Sequence, residues 1–299
     1  MLKTLRFLLL LGCILPLTGC LEFERQTVSY RHDPKTDILR IFQHYQGIFG
    51  ADKKEGLSDN EVEQLDSVLK TQRTFFFSNW IFEFSRSRTS DELSRLKEPA
   101  EKESPADEAA RLRLGALLKL LLDNVQVENV GFHLDDKGRL CGAQRVVVTG
   151  VSKLVAAANL SVRDMLMAHS SEKGVSADER ALGLRAANGP ADFIQFEGNQ
   201  IRFRYPTTRT DFDKAFGPES DSAKLLEEFR RNGGTVAFAN DEMKWTLGKP
   251  ADRMTALPLP FATKPYVANL LPVVKQQATV REKFDAEAAA KEFLGAAGK

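Results

Sequence analysis

Histidine and cysteine are the residue types best suited to metal, acid-base or nucleophilic chemistry, and this 299-residue chain has only four histidines and three cysteines. His32, His44, His133 and His169 stand singly, and no two share a helical or strand spacing that would let one element present both to a metal. Asp33, beside His32, precedes Pro34 and reads as a turn former. Cys141 sits between Leu140 and Gly142, the setting of a buried and inert core thiol. The chain has no His-Glu-x-x-His, Gly-x-Ser-x-Gly, Walker or Gly-x-Gly-x-x-Gly motif, and no Ser-x-x-Lys with its partner motifs. Asp135-x-Lys137-Gly138 is too short and too poor in carboxylates for a calcium loop, so it reads as a turn. Arg202 and Arg204, with Arg209 nearby, suit phosphate or carboxylate groups, but alternation places the first two on the wet face of a strand. The expectation is no catalytic set, no metal site and no cofactor.

One cysteine has a stronger context. Lys3 and Arg6 precede an apolar run from Phe7 to Leu17, and Thr18-Gly19 leads into Cys20. The run is about eleven residues, too short for a stable span of a roughly 30 Å hydrocarbon core. Leu17-Thr18-Gly19-Cys20 resembles the lipobox of bacterial lipoproteins, an aliphatic residue and two small residues before the cysteine that receives lipid. The resemblance covers residues 1–20 alone. It implies cleavage after residue 19, diacylglyceryl attachment at Cys20, and usually acylation of the new amino terminus. Each buried methylene contributes about 0.8 kcal/mol, so two or more chains anchor firmly where one holds marginally. Leu21 in place of Asp favours the outer over the inner membrane. Cys13 leaves with the signal and Cys20 is occupied, so Cys141 has no partner for an intramolecular disulfide or a cysteine-rich zinc cluster.

Of the 42 Lys and Arg and 41 Asp and Glu, only Lys3 and Arg6 lie in residues 1–19, so the remainder is near neutral. That argues against a general electrostatic grip on nucleic acid. At 42% hydrophobic residues the chain has material for a core.

The elements that position these side chains are legible in the turn chemistry. Phe23–Tyr30 and Ile38–Phe49 flank a turn-rich stretch at 32–37 and read as a hairpin. Ser58-Asp59-Asn60-Glu61 fits a capping box that opens a helix to about Arg73. The aromatic run from Phe75 to Phe84 reads as packed core, and it is also the place to look for an apolar ligand or partner. Residues 85–107 are polar and read as a surface loop and internal boundary. A helix from Asp107 to Asp123 is apolar on nearly every side and reads as central to the core. Val125–Leu134 and Leu140–Thr149 form a second hairpin about Asp135–Gly138. Helices follow over 151–168 and from Ser176 to Ala187, then a hairpin from Phe193 to Tyr205 that turns at Gly198-Asn199. A helix over 221–232 and a hairpin turning at Asn240-Asp241 come next. Prolines mark an extended stretch after Gly248, and 280–294 reads as an exposed, alanine-rich helix.

The resulting expectation is an α+β fold, antiparallel β-hairpins forming a sheet with helices packed on one face. The organisation is a lipoprotein signal peptide over 1–19, a globular domain over 20–249, and an extended segment with a charged helix over 250–299. Two functions stay open. One is a non-catalytic envelope protein, held to the membrane through the lipid on Cys20, that binds an envelope protein, a cell-wall component or an apolar ligand, with no nucleic acid. The other is an envelope hydrolase whose site joins distant groups such as His32, His133 or His169 with acidic neighbours.

Overall fold

A computed structural model describes residues 21–50, 61, 63, 65, 73, 74, 84–98, 104–211, 227, 230, 231, 234–252, 254–260, 280, 281 and 283–295. The chain is α+β, with antiparallel hairpins and packed helices. The first hairpin pairs β1 (Leu21–Asp33) with β2 (Ile38–Gly50). The second pairs β3 (Val125–Leu134) with β4 (Leu140–Thr149), and the turn between them is held by Asp135 Oδ1, which accepts from the Lys137 and Arg139 amides. Together with β9 (Thr255–Pro260) and β10 (Val280–Arg281) they form a six-stranded sheet in the order β10-β3-β4-β2-β1-β9. Among the described strands only β10 on β3 is parallel. Pro258 and Pro260 sit in an edge strand, where a missing amide costs no ladder hydrogen bond.

A second sheet, in the order β5-β6-β8-β7, is built from β5 (Ile194–Glu197), β6 (Gln200–Pro206), β7 (Thr235–Ala239) and β8 (Glu242–Leu247). Asn240 and Asp241, at φ 53° and 59°, give the doubly left-handed turn that suits a tight hairpin. The hairpins thus divide between two sheets. The turn at Gly198-Asn199 joins them: buried Asn199 accepts from the His32 amide at 2.8 Å and donates to Thr255 Oγ1 at 2.9 Å, while Tyr30 donates its hydroxyl to the Leu247 carbonyl.

Between the first hairpin and the small sheet the described residues form α1 (Arg86–Arg95), α2 (Pro105–Asn124), α3 (Val151–Ser170) and α4 (Ala177–Asn188). The inner face of the large sheet, with Val28, Tyr30, Ile41, Val125, Val127, Val146 and Val148, packs against Leu121 of α2, Leu154 and Val155 of α3, and Ile201 and Leu247 of the small sheet. Ser176 and Glu179 form the reciprocal cap of α4. Asp37, left-handed at φ 55°, caps α3 from the first hairpin turn by accepting from the Ser152 amide and hydroxyl.

Three local expectations are corrected. The polar stretch 85–107 holds α1 and the start of α2; α1 buries none of its residues, but the Arg111 guanidinium from α2 donates to the Leu96 carbonyl at its end, and Leu93 lies by Gly115. Polarity marked a solvated helix there, not a loop. α2 is peripheral: Leu117 alone is buried on it and Leu112 is exposed. The C-terminal helix α5 (Ala286–Gly295) is exposed on one face only: Ala290 and Leu294, four residues apart on one stripe, are buried against Phe42 and Ala143 on the outer face of the large sheet. The helix expected over 58–73 lies mostly outside the described residues, with Glu61, Glu63 and Leu65 helical; so does that over 221–232, and of the Phe75–Phe84 run only Phe84 is described.

Candidate metal centre

Strand register brings together residues that sequence distance separates. β4 lies between β3 and β2, so Cys141 stands directly opposite His133 on one side, and Ala143, two residues on, stands opposite His44 on the other. Residues two apart on a strand share a face, which puts His44, Cys141 and His133 on the outer face, beside Phe42 and Ala143. Their ligand atoms all lie within 4.8 Å of one another. Among the described residues no fourth histidine, cysteine or carboxylate joins this group.

His133 reaches that face through a β-bulge. The pairing of β3 with β4 slips between Asn129 and Gly131, where Gly131 takes φ 110°, a conformation that L side chains avoid. Val130, inside the bulge, packs on the outer face; three residues later His133 does so too, an interval that unbroken alternation would not allow. A regular strand would send His133 inward. Gly47 on β2 is likewise left-handed, and its amide donates toward the Cys141 sulfur.

The cluster is buried at two of its three corners. Cys141 is 0% exposed and His133 3%, while His44 is half-buried. The two imidazoles stack with 5.1 Å between centroids, and their Nε2 atoms are 3.0 Å apart, so one ring donates and the other accepts. Burial, and then the neighbouring imidazole, pushes His44 from its ordinary value to about 4; burial, and then the Arg281 guanidinium, does the same to His133. Both rings are therefore neutral near pH 7, which is the form that ligates. Burial pushes the Cys141 thiol up to about 11, and its hydrogen points at the Arg139 carbonyl. Phe284, just before α5, lies over His133 with 4.6 Å between rings, and Arg281 sits over Phe284.

Two imidazole nitrogens and a sulfur form a donor set for zinc or copper rather than for calcium or magnesium, which demand oxygen. A metal at about 2.0–2.1 Å from each nitrogen needs them about 3.3–3.6 Å apart, so the rings need separate by only a few tenths of an ångström once the shared proton moves to a Nδ1. Asp135, the acid whose charge acts on all three ligands, is committed elsewhere. It accepts from Arg139 Nε at 2.6 Å and from two amides, and Arg139 also pairs with Glu24.

The other residues singled out in the sequence lie apart. His32 Nδ1 meets the Gly198 carbonyl at 2.8 Å and its ring packs on Phe196, a role in joining the two sheets. His169 pairs with Glu172 at the end of α3. Arg202 pairs with Glu197; Arg204 lies between Asp192 and Glu242 and over Phe193; Arg209 lies over Phe238. Cys20 falls outside the described residues. No family model matches the chain, and no curated protein or solved structure matches it either.

Proposed function

We propose that this chain is a lipid-anchored protein of the bacterial cell envelope, at the outer membrane, that binds one transition-metal ion through His44, His133 and Cys141 without catalysing a reaction. The meeting of these three groups on adjacent strands carries the reading: the two histidines are 89 residues apart, yet their Nε2 atoms are in contact. Leu17-Thr18-Gly19-Cys20 supports the anchorage. The hydrolase alternative joins His32, His133 or His169 with acidic neighbours, and it is less favoured because His32 meets Gly198 and Phe196, His169 meets Glu172 on α3, and Asp135 beside His133 is bonded to Arg139 and backbone amides.

The test is cobalt(II) titration of the metal-free protein. One equivalent is expected to produce an intense thiolate-to-cobalt absorption, and the Cys141→Ser variant to lack it with an unchanged circular dichroism spectrum. A folded wild-type protein that takes up neither cobalt(II) nor, under anaerobic conditions, copper(I) would end the metal reading. Membrane fractionation of the Cys20→Ser variant checks the anchor separately: it is expected in the soluble fraction, and retention in the pellet would refute lipid attachment there.

A further inference from the structure

Resting on that reading, we infer that the ion the site selects is monovalent copper, held three-coordinate by two imidazoles and one thiolate. Two independent features of the geometry lead there, ligand count and charge.

The cluster supplies three donors and, among the described residues, no fourth of its kind. Structural zinc closes its tetrahedron with four protein ligands, and catalytic zinc adds a water. Here the Cys141 and His133 corners are shut to solvent and Phe284 lies across the His133 ring, so a fourth position is poorly served. Closed-shell monovalent copper accepts three ligands in a plane and favours a soft sulfur among them.

Charge points the same way. A bound metal takes both imidazoles neutral and the thiol as thiolate, so the ligand set carries a single negative charge. The charged side chains that act on the three ligands, with the partner of Arg139 included, are Asp135, Glu24, Arg139 and Arg281, two of each sign. They leave no surplus negative charge to share with an ion. Monovalent copper makes the centre neutral, whereas a divalent ion leaves one uncompensated positive charge in a buried place beside Arg281. Binding is an exchange without electron transfer: Cu(I) enters, the Cys141 thiol proton leaves to solvent, the imidazole-bridging proton moves to a Nδ1, and no oxidant is consumed.

The experiment is anaerobic competition of the metal-free protein for Cu(I) against bicinchoninate, and for Zn(II) against a zinc chelator. One equivalent of Cu(I) is expected to bind at least about a hundredfold more tightly than Zn(II), because an uncompensated buried charge costs several factors of ten. Cys141→Ser and His44→Gln are each expected to weaken Cu(I) by more than about a hundredfold, beyond the roughly 10–100-fold typical of an outer-shell partner. His44 is the less buried histidine, so its variant leaves the core packing in place. Zinc bound as tightly as copper, with the same dependence on Cys141, overturns the monovalent assignment while the metal reading stands. A strong visible thiolate-to-copper(II) band in air also overturns it. Binding of neither ion removes the metal reading and this inference together.

Discussion

The burial of His44 and His133 makes the metal-free protein acid-sensitive. In the unfolded chain each imidazole titrates near its ordinary value of about 6.5, and in the fold each is held at about 4. Above about pH 6.5 both states carry neutral rings and the full stability is present. As pH falls from there toward 4 the unfolded chain binds protons that the fold refuses, so stability declines; below 4 this contribution levels off. The expected loss for the pair is of the order of a few kcal/mol. Denaturant titration of chelator-treated protein at pH 7 and pH 4.5 measures it, and the doubly substituted His44→Gln, His133→Gln protein should show a much smaller decline. Equal declines in the two proteins would mean that the acid sensitivity lies elsewhere. None of this was visible in the sequence, where four isolated histidines and a lone internal cysteine gave no ligand spacing. Metal signatures are legible when one element carries two ligands, and here each ligand rides on a different strand.

At the scale of elements, hairpins were the most legible feature because their turns have a chemistry of their own. Asp135 folds back on its own amides at the β3–β4 turn, and Asn240-Asp241 tolerates the left-handed conformation at β7–β8. The bulge in β3 was not legible. Val125 to Leu134 alternates well enough that Gly131 passes for an ordinary strand glycine, and its consequence, the reversal of His133, appears only when β4 pairs with it. Gly131→Ala tests that dependence. No atom lies within 4 Å of the added Cβ, so the cost comes from φ 110° and not from collision. A stability loss of about 1–3 kcal/mol is expected in chemical denaturation, together with weakened metal binding. Full stability with metal binding intact would show that His133 reaches the outer face without glycine at this position. α1 and α5 were misread for one reason: composition reports how polar an element is, and only neighbours decide which stripe of it is covered.

For the whole molecule, the outer face of the large sheet depends on α5. Leu294 is 1% exposed, and the Arg31 guanidinium donates to its carbonyl at 2.9 Å, which ties the helix end to β1. Leu294→Ala is expected to cost about 2–5 kcal/mol, with thermal unfolding as the measurement; an unchanged midpoint would contradict the packing described. The pairing of β2 with β4, which assembles the ligands, spans about a hundred residues and follows from no local signal. The strand order has a further consequence for biogenesis. β9 and β10, from the last fifth of the chain, cover β1 and β3 on opposite borders of the sheet. Until those late segments arrive, a nascent molecule presents two unsatisfied rows of backbone donors and acceptors, each a template for a neighbouring chain. Were the chain exported amino terminus first, as the proposed lipid anchor implies, it would stay prone to self-association until β9 and β10 had emerged, and a holding chaperone would be most needed in that interval.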